Sequence, residues 1–433
     1  MSEEITKDFE KIVPKRWKRY PRYKDSGVEW IGEIPEEWKV TKLKWLSTEP
    51  LKYGLNEPAS ESNQNDPRYV RITDITDEGI LRDDTFKSIP QDIAKGYLLE
   101  EGDLLFARSG ATVGKTFIYN HSWGVCCFAG YLIGFRANAS KVSARYLYYF
   151  TKSSAYWNWL NSSFTKSTIQ NASADKYKSL PVSVPNIESQ REILNFLDGS
   201  CKRIDSLISK KQLLIELLKE KRAAIILRAV TKGLDPNAPM KDSGVEWVGK
   251  MPQEWDLVRF KHTAKMKYGS SRPSELRNDG DFLVYGSNGP VGMNSCANTS
   301  APVVVLGRKG SFGKVNYSDK PVFAIDTTYY IDKNCTDSHM KWLFYLLQVL
   351  DLDSVSMDTG VPGLSREHVH ELIIPNCGYA EQRRISVFLD NVTSKIDFFI
   401  SKIEKSIELL KEYRSALITA AVTGKIDVRE EVP

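Results

Sequence analysis

A 14-residue segment of this chain occurs twice, and this repeat constrains the fold more than any other feature. Residues 25–38 and residues 242–255 are identical at ten of their 14 positions. The copies begin 217 residues apart, which is too long a period for a solenoid repeat or a propeller blade. The repeat therefore predicts two similar modules, each the size of a domain with its connector, related by a pseudo-twofold axis.

The later part of each half also repeats, but with a different offset. Gln190 corresponds to Gln382 and Asp205 to Asp397, so these positions lie 192 residues apart. The middle of the first half is therefore 25 residues longer than the middle of the second. Constant ends around a divergent centre predict a shared frame that carries two different recognition surfaces.

Apolar residues alternate at spacings of four and three within 204–225 and again within 396–417. This is the seam of a coiled coil, carried by helices of roughly 40 residues, or about 60 Å. We predict that the two helices pair antiparallel within the chain; the alternative is two amphipathic helices that each cover their own domain. Lys211, Arg222 and Arg414 interrupt the seams, where a polar residue commonly sets the register. The predicted seam residues are Ile204, Ile208, Ile215, Leu218, Ile225, Ile396, Ile400, Ile403, Ile407, Leu410 and Leu417.

The two centres, about 40–185 and 257–375, have the pattern of an α/β (α+β) fold that is rich in strands. Short apolar runs bounded by glycine, proline and asparagine predict strands at 69–72, 103–107, 131–135, 302–306 and 324–331. Aromatic segments at 144–150 and 341–347 have helical spacing, which favours core packing over stacking on nucleic-acid bases. Gly233 and Gly424 follow the long helices and predict left-handed C-caps.

Composition limits the class of protein only broadly. The chain has 41% hydrophobic residues and a formal charge of +5, which suits several globular domains and permits a polyanionic partner. The charged N-terminus and the lack of long apolar runs predict a soluble, cytoplasmic protein. The cysteines show no metal-binding spacing and are expected to be reduced; they are Cys126, Cys127, Cys201, Cys296, Cys335 and Cys377.

A basic, glycine-rich turn follows a predicted strand in each half. The first runs from Arg108 and Ser109 to Lys115, and the second from Arg308 and Lys309 to Lys314. The segment 110–116 has one residue too few between its glycines for a phosphate-binding P-loop. Backbone N–H groups and flexible cations suit phosphate contacts, and arginine can also bind the O6/N7 edge of guanine. A solvated hairpin is the alternative for each residue.

Gln170 and Asn171 are further candidates, because amide side chains can read adenine. Ordinary turn chemistry is favoured for them. The sequence contains no methyltransferase motif of the Asn/Asp-Pro-Pro-Tyr/Phe type and no dinucleotide-binding glycine motif, so we expect no catalytic residue and no cofactor on this chain. His368 and His370 form the one histidine cluster, and without a clear third ligand a structural or surface pair is favoured over a metal site.

These motifs together resemble the specificity subunit of Type I restriction-modification systems. The similarity rests on residues 23–38 and their repeat at 241–255, on the segments that begin with Pro185-Asn186 and Pro375-Asn376, and on two long helices that end in Val-Thr. It covers nearly the whole chain. The resemblance implies two globular, strand-rich target-recognition domains separated by two long antiparallel coiled-coil helices with pseudo-twofold symmetry.

The resemblance further implies a bipartite, asymmetric target in double-stranded DNA, with one half-site for each target-recognition domain. Two methyltransferase subunits would dock on the conserved parts and bind S-adenosylmethionine, and the complex can recruit restriction/translocase subunits that use ATP and Mg. The chain would then be non-catalytic by itself and have no membrane partner. The alternatives are a protein-binding scaffold or a self-contained nucleic-acid enzyme.

The expected organisation follows from the repeats and the helices. The segments are an N-terminal extension (1–24), target-recognition domain 1 (25–185, opening repeat 25–38), conserved helix 1 (186–232), a linker (233–241), target-recognition domain 2 (242–375, opening repeat 242–255), conserved helix 2 (376–424) and a C-terminal tail (425–433). Because the opening repeat stays constant while the centres diverge, we expect Trp30, Trp38, Trp247 and Trp255 to belong to the frame and not to the DNA-reading surface.

Overall fold

The computed structural model describes residues 17–59, 62–76, 79–162, 171–271, 280–352 and 363–429. The chain divides into two compact units. Unit 1 comprises residues 1–210 and 405–433, and unit 2 comprises residues 211–404. Each unit thus contains one of the two centres together with a segment of both long helices.

The described part of unit 1 contains short strands and helices before the first long helix. The strands are β1 (Tyr23–Asp25), β2 (Glu33–Pro35), β3 (Lys39–Lys42), β4 (Lys52–Tyr53), β5 (Arg68–Val70), β6 (Leu104–Ala107), β7 (Thr116–Ile118), β8 (Cys126–Phe128), β9 (Leu132–Phe135) and β10 (Pro181–Val184). The helices are α1 (Gln91–Ala94), α2 (Ala144–Phe150), α3 (Ser154–Ser162), α4 (Ala174–Lys178) and the long α5 (Ile187–Lys232), which continues into unit 2.

Unit 2 repeats this order of elements with local differences. Its strands are β11 (Met240–Asp242), β12 (Lys250–Pro252), β13 (Asp256–Arg259), β14 (Lys267–Tyr268), β15 (Phe282–Gly286), β16 (Gly289–Asn294), β17 (Val303–Gly307), β18 (Val315–Ser318), β19 (Phe323–Ala324), β20 (Thr328–Asp332) and β21 (Ile373–Asn376). Its helices are α6 (Met340–Val349), α7 (Arg366–Glu371) and the long α8 (Tyr379–Val422), which continues into unit 1.

Both units contain the same four-stranded antiparallel sheet. Its strand order is β4-β9-β6-β7 in unit 1 and β14-β20-β17-β18 in unit 2. The central strands β6 and β17 are buried at every position, which explains why they read as continuous apolar runs instead of alternating ones. The centres that diverge in sequence therefore share one architecture.

The prediction of a single strand at 324–331 is wrong, because the chain changes sheets there. β19 pairs in parallel with β15, whereas β20 pairs antiparallel with β17 in the four-stranded sheet. The turn between them contains Asp326 and Thr327. The predicted strand at 69–72 is also too long, since β5 ends at Val70 and Ile72 begins a 3₁₀ turn.

The long helices α5 and α8 bury the residues predicted for the seam wholly or in part. Six of these side chains are buried and five are half-buried. The buried ones are Ile204, Ile208, Ile215, Ile396, Ile407 and Leu417, and the half-buried ones are Leu218, Ile225, Ile400, Ile403 and Leu410. Within the described ranges no helix is both long and apolar enough to cross a membrane.

The two helices run antiparallel, as contacts within unit 2 show. Arg222 Nε on α5 pairs with Asp397 Oδ1 on α8 at 3.0 Å. Directly after the end of α5, Gly233 lies close to the carboxylate of Glu381, near the start of α8. In unit 1, Arg414 of α8 pairs with an aspartate of α5 at position 205. The two ion pairs are related by the repeat. Arg222 is equivalent to Arg414 and Asp397 to the aspartate at 205, because each equivalent pair lies 192 residues apart.

The opening repeats pack against the ends of the long helices. Gly424 has φ +71° and lies directly against Pro35 and Trp38 in unit 1. Gly233, also at φ +71°, lies against Trp255 in unit 2. The left-handed C-caps predicted for both glycines are confirmed. Each copy of the repeat therefore has a structural role, because it packs the start of its half against the end of a long helix.

Each strand-rich region is anchored to the start of a long helix by a buried glutamine. The Gln190 side chain accepts a hydrogen bond from the Ser143 N–H at 2.8 Å and donates one to the Pro185 carbonyl at 3.0 Å. Gln382 repeats this in unit 2, accepting from the His339 N–H at 2.7 Å. Ser143 and His339 precede α2 and α6, so each glutamine satisfies a backbone donor at a helix start.

Candidate nucleic-acid interface

Arg108 and Arg308 occupy equivalent positions at the ends of the central strands β6 and β17. The Arg108 N–H donates to the Tyr131 carbonyl at 3.1 Å, and the Arg308 N–H donates to the Thr327 carbonyl at 2.8 Å. Both carbonyls lie in the turn just before the neighbouring strand, β9 or β20. Because the backbone contacts match, the two arginines occupy equivalent positions in the two units.

An aromatic ring supports each guanidinium group. The Arg108 guanidinium carbon lies 4.6 Å from the centre of the Tyr53 ring, and that of Arg308 lies 5.0 Å from the Tyr268 ring. In unit 2 the Arg366 guanidinium carbon also lies 4.8 Å from Tyr268. Such stacking restricts the arginine rotamers while leaving N–H donors available.

Sequence reasoning missed these tyrosines, although a signal was present. The triplet Lys-Tyr-Gly occurs at 52–54 and again at 267–269, inside the parts that otherwise diverge. Each glycine is required by close backbone approach, because a Cβ at Gly54 would overlap carbonyls of Phe128 and Ala129, and one at Gly269 would overlap the carbonyl of Ile325. The triplet places each tyrosine at the sheet edge beside its arginine.

The glycine-rich turns are hairpins between antiparallel strands. The first joins β6 to β7 and the second joins β17 to β18. Glycines with φ between +73° and +86° begin and end both turns: Gly110, Gly114, Gly310 and Gly313. A P-loop connects a strand to a helix. A hairpin between two strands is therefore not a P-loop, in agreement with the glycine spacing of residues 110–116. Lys309 and Lys314 are exposed, whereas Ser109 and Lys115 are half-buried.

A second segment approaches the arginine loop in each unit. The Ala172 N–H donates to the Arg108 carbonyl at 2.8 Å, and the Leu364 N–H donates to the Arg308 carbonyl at 2.9 Å. Asn171 is exposed and its backbone bridges to Ser109. Gln170 lies outside the described residues. The structure thus brings Arg108, Ser109 and Asn171 together.

Hydrogen bonds and burial define the local electrostatics of the unit 2 site. Lys314 Nζ donates to Asn288 Oδ1 at 2.7 Å. The Tyr329 hydroxyl donates to the Leu364 carbonyl at 3.1 Å. Burial raises the pKa of Tyr329, an effect that the nearby Arg308 cation opposes. The ring therefore stays neutral beside a permanent positive charge.

The histidine pair has a structural environment. His370 Nε2 accepts a hydrogen bond from the Met266 N–H at 3.4 Å, and its ring stacks on Phe260. Burial lowers the pKa of His370. Among the described residues, no group of three histidine, cysteine, aspartate or glutamate side chains could hold a metal ion.

Comparison with known families agrees with this duplicated architecture. The model of the Type I restriction modification DNA specificity domain matches residues 35–217 and 252–409, which is more than half of the chain. This chain belongs to that family. The two matched regions correspond to the two halves that the opening repeats mark.

Specificity subunits from other organisms resemble this chain over different lengths. A putative type I restriction enzyme MjaX specificity subunit of Methanocaldococcus jannaschii is 25% identical over 422 residues, which cover 92% of this chain and 96% of the relative. The type I restriction enzyme EcoDI specificity subunit of Escherichia coli is 23% identical over 181 residues, covering 41% of this chain and 40% of the relative.

A similar fold occurs in a solved structure from a type I restriction-modification system. That chain belongs to a study of complex assembly and conformational transition of the type I restriction-modification system, and it matches with a TM-score of 0.70 and 17% identity. The match covers 92% of this chain and 99% of the other. The two chains therefore share one fold over nearly their whole length.

Proposed function

We propose that this chain selects DNA for a type I restriction-modification complex by binding one half of an asymmetric, bipartite target with each target-recognition domain. The observation that carries the proposal is the pair of equivalent arginine–tyrosine sites. Arg108 on Tyr53 and Arg308 on Tyr268 sit in the same frame in two domains whose surrounding sequences differ. Two unlike half-sites require the same contact to the DNA backbone in both domains and different side chains around it.

The shared arginines suit contacts to the DNA backbone. A guanidinium group stacked on a ring is held in position yet keeps donors for a phosphate. Lys309 and Lys314 are exposed on the same hairpin in unit 2 and would add to a salt-dependent attraction. Contacts that are common to both domains position the duplex, so base selection falls to side chains that differ between them.

The long helices offer two equivalent surfaces for partner subunits. Leu207 and Leu409 are 44% and 56% exposed in unit 1, and the equivalent Phe399 and Leu217 are 57% and 52% exposed in unit 2. Exposed apolar residues on a helix favour docking of another protein. Two related surfaces on one chain support the docking of two methyltransferase subunits.

The chemistry of the complex would then reside on the partners. We infer that the methyltransferase subunits bind S-adenosylmethionine, and that a restriction/translocase subunit, where present, uses ATP and Mg. In this proposal the chain contributes DNA selection and assembly, within the cytoplasm, and no catalytic group of its own. What supports it is the family membership together with the two helix surfaces.

Mapping of methylated adenines tests the proposal. The full chain is expressed with its methyltransferase partner in a host that lacks other adenine methylation, and the genome is sequenced for modified bases. We expect one asymmetric motif with two defined halves and an unspecified gap. DNA binding by the purified complex should weaken steeply as salt rises.

The same measurements separate the alternatives. A protein-binding scaffold would produce no methylation motif and no salt-dependent DNA binding even with its partners present. Methylation by the purified chain alone, with S-adenosylmethionine added, would instead identify a self-contained enzyme. Either result would overturn the proposed function.

A further inference from the structure

One difference between the two arginine sites lies in a two-residue turn. Residues 130–131 precede β9 and residues 326–327 precede β20; we call these the reading turns. Their backbones make the same contacts. Arg108 Nη1 donates to the Gly130 carbonyl at 3.4 Å, and Arg308 Nη1 donates to the Asp326 carbonyl at 3.1 Å.

The second residue of each reading turn is also held in the same way. The carbonyls of Tyr131 and Thr327 accept the backbone N–H groups of Arg108 and Arg308. Each reading turn therefore makes one backbone contact to the guanidinium group and one to the main chain of its arginine. These two contacts to the arginine are common to both domains, although the Thr327 carbonyl also accepts from the Lys309 N–H at 3.2 Å and from the Ser287 hydroxyl at 2.8 Å. The side chains of the two turns differ.

The side chains of the reading turns are chemically unlike each other. In the first domain they are a glycine and Tyr131, whose ring is 65% exposed. In the second they are Asp326, which is exposed, and Thr327, which is half-buried. Within the described parts of the chain, neither the Tyr131 hydroxyl nor the Asp326 carboxylate makes a hydrogen bond or an ion pair. As far as the described residues are concerned, both groups remain available to a ligand.

A carboxylate in this position has a specific consequence for DNA binding. The phosphate backbone repels it, so it favours binding only where it accepts a hydrogen bond from a base. The exocyclic amino group of cytosine is the donor that acidic side chains read in the major groove. A carboxylate also disfavours guanine or thymine at the contacted position. Both bases present an acceptor in the major groove, so the carboxylate would face it without a hydrogen bond.

We propose that the reading turns determine specificity, with Asp326 selecting a base that offers an exocyclic amino group in one half-site and Tyr131 contacting a base in the other. The inference rests on the proposed function and deepens it, because it assigns base selection to named side chains beside the shared arginines. The arginines hold the duplex, and the adjoining turn reads it.

The test uses the full complex of this chain with its methyltransferase partner. Asp326→Asn keeps the shape of the side chain but adds donors, and Tyr131→Thr places in the first domain the residue that the second domain carries. Asp337→Asn is the matched control, because Asp337 is exposed beyond the opposite end of β20. Each variant is mapped for methylated adenines and assayed for binding to every single-base variant of the target.

We expect Asp326→Asn to change the preferred base at one position of one half-site, with discrimination there falling about 10-fold or more. Tyr131→Thr should alter only the other half-site. The gap and the untouched half-site should stay the same, and Asp337→Asn should leave the whole motif unchanged. The melting temperature of each complex shows whether the variant is folded.

Two outcomes would overturn the inference. One is an unchanged motif with unchanged discrimination in both folded variants. The other is a loss of affinity that is equal on all DNA sequences, which would assign the reading turns to backbone contacts. If the wild-type complex methylates no DNA at all, the proposed function itself fails, so the two failures are distinguishable.

Discussion

The Tyr345 hydroxyl donates a 2.8 Å hydrogen bond to Asp390 Oδ1 and thereby ties helix α6 to the long helix α8. Tyr149 and Asp198 form the same bond, also at 2.8 Å, between α2 and α5 in unit 1. A basic residue completes each cluster, with Lys341 Nζ at 2.7 Å from Asp390 Oδ2. The strand-rich part of each unit is thus locked to a helix segment by the same two residue types.

The tyrosine–aspartate hydrogen bond predicts a similar loss of stability when either tyrosine is replaced by phenylalanine. We expect Tyr345→Phe and Tyr149→Phe each to lower the free energy of unfolding by about 1–2 kcal/mol, since a hydrogen bond to a charged group is lost. Urea unfolding followed by circular dichroism measures this. Tyr379→Phe is the control, because that ring is 59% exposed; a loss as large in the control would contradict the assignment.

The same tyrosine predicts a pH dependence at alkaline pH. Burial, reinforced by Asp390, raises the pKa of Tyr345 to about 12, above the ordinary value of about 10 in an unfolded chain. The folded state therefore keeps the proton longer, and this contribution to stability is complete below pH 10 and is lost as pH rises toward 12. The difference in unfolding free energy between wild type and Tyr345→Phe should shrink over that range. A difference that stays constant from pH 8 to 11.5 would refute it.

The ion pair between the long helices predicts that reversing one charge destabilises the protein more than the pair itself stabilises it. Arg222 and Asp397 are 27% and 54% exposed, so the pair should contribute only about 0–1 kcal/mol. Arg222→Asp should destabilise the protein by placing two like charges together, and Arg222→Asp with Asp397→Arg should restore stability. Thermal melts of the single and double variants test this; a double variant no more stable than the single would exclude a direct pairing.

Three glycines with positive φ, one in the turn after β1 and two at the ends of the long helices, predict a graded series of alanine variants. Gly27→Ala introduces only the strain of φ +70°, because no atom lies within 4 Å of its added Cβ, and should cost about 1 kcal/mol. Gly233→Ala adds a close contact at 3.3 Å from Trp255. Gly424→Ala would overlap Pro35 and should be the most destabilising of the three. Chemical denaturation gives the order, and three equal losses would show that packing at the helix ends is unimportant.

The shared arginines predict a loss of affinity without a change of motif. Arg108→Ala and Arg308→Ala should each weaken DNA binding and reduce the slope of log affinity against log salt by about one. The methylation motif should be preserved, because a phosphate contact carries no base information. A change restricted to one base of one half-site would instead show that the arginine reads guanine.

The sequence by itself determined the features that arise from local periodicity and from repetition. The heptad spacing predicted the long helices, and the repeated segments predicted two related halves, because a duplicated sequence folds by the same local rules twice. The glycines at 233 and 424 predicted left-handed helix ends, since other residues rarely adopt that conformation.

Only the tertiary structure decided which residues meet. Tyr53 and Arg108 are far apart in sequence, and their stacking depends on β4 and β6 lying in one sheet with β9 between them. The same holds for Tyr268 and Arg308, and for the turn at 326–327, where one apolar run divides between two sheets. Strand pairing joins segments that are distant in the chain, and no local pattern encodes that choice. The opening repeat identified the two halves; the fold placed an equivalent arginine, tyrosine and turn in each of them.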